Sequence, residues 1–106
     1  MAFTDSQGFK IPRPFVNEGG INIESIAGDV TLTYASSTIQ ILTNGTGSSK
    51  DLALPAVKDG AIFWIGNKGA HDIVVKSGGS TIATVAQNKA SLVASDGAAW
   101  SAVFVS

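Results

Sequence analysis

Apolar and polar residues alternate along this chain with a period of two, which is the period of a strand and not of a helix. VTLTY (30–34) sets Val30, Leu32 and Tyr34 on one side and Thr31 and Thr33 on the other. TIQIL (38–42) sets Ile39 and Ile41 against Thr38 and Gln40, and Ala35-Ser36-Ser37 between the two stretches reads as a hairpin-like connection. DLALP (51–55) is a short strand; Pro55 has no N–H to give to a ladder, so it ends the strand or lies on an edge. AIFWI (61–65), DIVVKS (72–77), TIATVA (81–86), KASLVA (89–94) and AAWSAVFV (98–105) follow, the last with Trp100, Ala102 and Phe104 on one face. Between them lie turn residues: Asn44-Gly45, where positive φ is cheap, Asp59-Gly60, Ser77-Gly78-Gly79-Ser80 and Ser95-Asp96-Gly97. About eight strands, roughly 8 to 12 residues apart, predict an all-β fold, a small antiparallel sandwich or jelly-roll-like barrel. A βαβ crossover fold would need helical stretches that the pattern lacks.

One strand breaks the rule. In AIFWI (61–65), Ala61, Phe63 and Ile65 point one way and Ile62 and Trp64 the other, and both sets are apolar. Either the strand is central and covered on both sides within one chain, or one set packs against a copy of the same protein. Ile73-Val74-Val75 and Val103-Phe104-Val105 are also apolar on both faces. Three such strands in so small a domain favour an oligomer, with Ile62 and Trp64 at the subunit interface.

Residues 1–22 behave differently from residues 23–106, the sandwich or barrel domain. They show little alternation, and Pro12-Arg13-Pro14 favours an extended backbone without internal hydrogen bonds. The segment reads either as a frayed terminus or as an extended arm. Phe3, Phe9, Ile11 and Phe15 make it too apolar for a purely solvated tail. With Pro12 and Pro14 they form the predicted anchoring arm.

Composition narrows the function. The chain has 106 residues, the length of one domain, and no cysteine, so neither a disulfide framework nor a thiolate metal site is available. Net charge is -1 and the seven Lys and Arg residues are scattered, which argues against nucleic acid as a partner. MAFTDSQGFK lacks the layout of a signal peptide, and no window approaches the roughly 18 apolar residues of a membrane span. Both point to synthesis in the cytoplasm with no membrane partner. Charged residues make up 14% of the chain, below the roughly 25% of an average domain. A surface of Ser, Thr, Gly and Ala is either a neutral wet face or one covered by other chains.

Candidate chemistry is sparse. His71 is the single histidine and sits beside Asp72 at a turn, with no nucleophile elbow in the sequence to pair with it. One histidine without cysteine makes a poor zinc site, and no cofactor is predicted. The carboxylates occur singly, and Asp59-Gly60 and Asp96-Gly97 are turn chemistry first. The reading is therefore not an enzyme. Trp64 and Trp100 offer aromatic faces on which a sugar ring can stack, but core or interface packing explains them better, Trp100 above all because it alternates with Ala102 and Phe104.

GDVTLTYASSTIQILTN, LALPAVKDGAIFWIGNKG and DIVVKSGGSTIATVAQNKASLVASDGAAW, in that order, resemble a β module of tailed-phage structural proteins. The likeness covers residues 28–104 and rests on turn and core positions. Such modules occur in capsid decoration (cement) proteins, head fibres and tail fibres, and are usually trimeric. The resemblance implies a virion protein on the capsid surface, made in the host cytoplasm. As a homotrimer it would bind the major capsid protein and stabilise the head. The alternative is a receptor- or glycan-binding module of a tail fibre or spike, using Trp64 or the loops 44–50 and 66–71.

Overall fold

Each stretch read as a strand forms one, with shifted ends, in the computed structural model. The structure describes residues 19–106 and, upstream of them, the strands Thr4–Asp5 (β1) and Gly8–Phe9 (β2), which pair antiparallel. The main body comprises β3 (Ile21–Ile26), β4 (Val30–Thr31), β5 (Ile39–Asn44), β6 (Lys50–Ala53), β7 (Ile62–Asn67), β8 (Ile73–Ser77), β9 (Ser80–Val85), β10 (Lys89–Ser95) and β11 (Trp100–Val105). No helix occurs among the described residues. Strand β3 opens at Ile21, so the sheet takes in the last two residues assigned to the arm.

Two sheets face each other, one in the order β11-β10-β7-β5-β3 and the other in the order β4-β6-β8-β9. The all-β sandwich is as expected, but its sheets are mixed rather than antiparallel. Strands β3, β5 and β7 run parallel in the first sheet, and β4, β6 and β8 run parallel in the second. The reason lies in the connections. From β3 to β8 the chain changes sheet at every step, so each strand of one sheet is the crossover for two strands of the other. Parallel pairing then needs no helix, because the opposite sheet does the returning. For the same reason β4 and β5 are not a hairpin: they lie in different sheets, and Ala35-Ser36-Ser37 turns between layers, with the Ser36 N–H donating to Thr33 O at 3.0 Å. True hairpins occur at β8–β9, where Gly78 and Gly79 both have positive φ, and at β10–β11. In the second, Asp96 accepts the N–H groups of Ala98 (2.8 Å) and Ala99 (3.0 Å), which hold its carboxyl below the ordinary range.

The core lies between the sheets. The first sheet contributes Leu42, Phe63, Ile65, Val93 and Trp100, and the second Leu52, Ile73, Val75, Ala83 and Val85. Trp100 is 4% exposed and its ring lies 5.9 Å from that of Phe63. Its indole N–H donates to Pro55 O at 2.8 Å, which ties β11 to the chain just beyond β6. Trp100→Phe is therefore expected to lower stability by about 1–2 kcal/mol, from one unmet carbonyl plus lost packing. An unchanged urea midpoint would show that this tie contributes nothing.

At one end of the sandwich two asparagines close the coil. Asn44 ends β5 and Asn67 ends β7, and both side chains point inward, 0% and 1% exposed. Each accepts the N–H two residues on: Asn44 from Thr46 at 3.2 Å, Asn67 from Gly69 at 2.8 Å. The Asn44 amide donates to Ser48 O and Asp72 O, and the Asn67 amide to His71 O and Val85 O. These side chains supply the hydrogen bonds that backbone turning a corner inside the fold cannot make for itself. Asn44-Gly45, expected as a loop with positive φ, is divided: Asn44 is a buried strand end, Gly45 opens the exposed loop without positive φ, and positive φ falls at Gly47.

Candidate interaction face

The outward face of the five-stranded sheet carries the strongest functional signal. Along its three central strands, β5, β7 and β10, nine inward positions are buried: Gln40, Leu42, Asn44, Phe63, Ile65, Asn67, Ser91, Val93 and Ser95; Lys89, a tenth by alternation, is exposed at the strand end. Five of the nine are polar. The nine outward positions are Ile39, Ile41, Thr43, Ile62, Trp64, Gly66, Ala90, Leu92 and Ala94, and only Thr43 is polar. The sheet is thus more apolar outside than inside, the reverse of what water selects.

Register sets these side chains in rows. Phe104, Leu92, Trp64, Ile39 and Ile21 lie side by side across all five strands. The next row holds Ala90, Gly66, Ile41 and Ile23, with Ser106 bonded to Ala90 at its end. Exposure reaches 72% at Ile23, 53% at Ile21, 47% at Phe104, 46% at Ile62 and 40% at Trp64. The rings of Trp64 and Phe104 lie 6.3 Å apart and tilted by 59°. Beside them is a hollow of about 480 Å³, floored by Gly66 and Ala90, with Lys68 and Lys89 at its rim. The opposite outer face of the molecule is ordinary by comparison. There Asp51 and Lys76 form an ion pair at 3.3 Å beside Thr84 and Val74.

Ile62 and Trp64 both lie on this face, pointing away from Phe63 and Ile65 as the two-sided pattern of the strand requires. Ile39 and Ile41 share a face, as read, and that face is the outer one; Gln40 takes the buried place, its amide donating to Ser37 O and its carbonyl accepting from Asn22. One expectation is corrected. Trp100, Ala102 and Phe104 do not share a face. A bulge at Val103 lets Val93 pair with Ala102 and Leu92 with Phe104, so Trp100 enters the core and Phe104 joins Trp64. One inserted residue reverses every side chain beyond it. Of the arm residues, Phe3, Ile11, Pro12, Pro14 and Phe15 lie outside the described residues, as does the Phe9 side chain.

The remaining polar groups have structural tasks. His71 donates its N–H to Asn44 O at 3.2 Å and accepts from the Asn67 amide, which places it in the corner. Among the described residues, no three of His, Asp and Glu gather as a metal would require. A polar cleft of about 300 Å³ lies beside β3 and β4, where Asn22 donates to Glu24 (2.8 Å) and to Gln40 (2.9 Å). Asn22, Glu24 and Gln40 are thus joined to one another.

Comparison with protein-family models, with curated proteins and with solved structures gave no match.

Proposed function

We propose that this chain is a non-catalytic structural protein that works by assembly, its five-stranded face covered by other chains. On the resemblance set out above, the assembly is a homotrimer that decorates the outside of a phage head and binds the major capsid protein. Binding the assembled lattice and not its free subunits would stabilise the head by mass action. The observation that carries this reading is the apolar outer face. It amounts to on the order of 500 Å² of exposed apolar surface, at the upper end of what a lone soluble protein shows. At about 25 cal/mol per Å² its burial is worth on the order of 10 kcal/mol gross. That is comparable with the cost of association, so the whole face has to be covered and not Trp64 alone.

Light scattering tests it. The wild-type chain is expected at three times its 10.8 kDa mass at micromolar concentration, and Trp64→Glu at one. A carboxylate buried among Ile39, Ile62 and Leu92 should weaken association roughly 100-fold or more. A wild-type monomer at tens of micromolar would end this reading.

A second reading rests on the hollow beside Trp64, where Asn88, Lys89 and Ser106 set polar groups around an aromatic wall. Here the chain is a glycan-binding module of a tail fibre or spike. A glycan array in which binding is lost with Trp64→Ala would favour it over the decoration role.

A further inference from the structure

We infer that, if the chain self-associates through this face, the contact is a ridge set into a hollow: Trp64 and Phe104 of one copy enter the hollow over Gly66 of the next. This rests on the assembly reading above and names how the copies meet.

Both halves of the contact lie on one face. The ridge is the tilted pair Trp64 and Phe104, each close to half exposed and bridged in its row by Leu92. The hollow is the neighbouring row, where Gly66 and Ala90 leave space between Ile41 and the sheet edge. Glycine is not there for the backbone. Its φ is not positive, and a Cβ built on Gly66 would meet nothing nearer than Gln40 O at 3.9 Å and Lys89 O at 4.0 Å, ordinary contact. The fold tolerates a side chain at this position; what glycine provides is room on the outer surface.

The occupant is a second copy for three reasons. An aromatic ridge matches an apolar floor, and this chain carries both. The exposed apolar area, on the order of 500 Å², matches the apolar share of a standard interface, about 57% of roughly 800 Å² per partner. Charge bears on the arrangement: two-fold pairing centred on the hollow would bring Lys68 and Lys89 towards their own copies, whereas a ridge seated there is uncharged. A head-to-tail contact of this kind closes into a ring when the rotation between copies allows, and three copies make a trimer.

Two variants separate the halves. Gly66→Leu fills the hollow and keeps the ridge; the double variant Trp64→Ala/Phe104→Ala removes the ridge, which is also one wall of the hollow, and keeps its floor at Gly66 and Ala90. Each alone is expected to be a folded monomer by circular dichroism and light scattering. Mixed in equal amounts they are expected to give a heterodimer that grows no further, because its free ends are a filled hollow and a missing ridge. Should Gly66→Leu fail to fold, Gly66→Val makes the same test. A trimer of Gly66→Leu overturns the ridge-in-hollow contact but leaves self-association standing. A monomeric wild type overturns both. Glycan binding lost in Gly66→Leu at unchanged trimer mass would show that the hollow serves a ligand and not a neighbour.

Discussion

Alanine at position 69 is expected to destabilise the fold by roughly 4 kcal/mol or more, enough to unfold a domain of ordinary stability. Gly69 lies against the Asn44 corner. A Cβ there would sit 2.2 Å from Asn44 N, 2.4 Å from its O and 2.5 Å from its C. These are backbone atoms at the end of β5, held in a ladder with β3, so they cannot step aside as a side-chain tip would. Gly45→Ala is the control. It lies in the other corner loop, has ordinary φ, and a Cβ built there meets nothing within 4 Å, so its effect should stay within about 0.5 kcal/mol. Urea unfolding of the two variants decides it. A Gly69→Ala midpoint equal to that of Gly45→Ala would mean that the corners are looser than their contacts imply.

Asn67→Ala is expected to cost about 3–5 kcal/mol. The side chain is 1% exposed, and three of its bonds are short: to His71 O at 2.7 Å, to Val85 O at 3.0 Å and from Gly69 N at 2.8 Å. Truncation leaves these groups buried without partners, at about 1–3 kcal/mol each, partly relieved if water enters. Asn67→Asp should do no better, since it presents a carboxylate to two carbonyl oxygens. Because Asn67 and Gly69 serve one corner, a variant with both changes should lose less than the sum of the two. Amide exchange offers an independent check: protection should fall first at Gly69 and His71. Loss of stability below about 1 kcal/mol in Asn67→Ala would show that the corner bonds are replaceable.

The strand class could be read from the chain because its cause is local. Alternation at period two, β-branched residues and Gly- or Asp-bearing turns act within a few residues, and they located each of the strands from β4 to β11. Strand β3 was missed because INIESI (21–26) adjoins a Pro-containing segment and was divided between arm and domain. The two-sided apolar character of Ile62 and Trp64 was also legible, being a property of one strand. Phe104 and Gly66 were not. Phe104 reaches the face only through a bulge, and Gly66 matters only for what its missing side chain leaves open beside Trp64.

The amino-acid sequence alone therefore determined the all-β class, the turns of the two hairpins, and the presence of more apolar strand surface than one core accounts for. Tertiary structure decided which strands pair, and that they pair parallel, because pairing depends on which layer the chain enters next and not on any residue's preference. It also decided which face each residue takes. A period of two labels two faces but does not say which is inside; that follows from the opposing sheet, and here it buries Asn44 and Asn67 and leaves Trp64 outside.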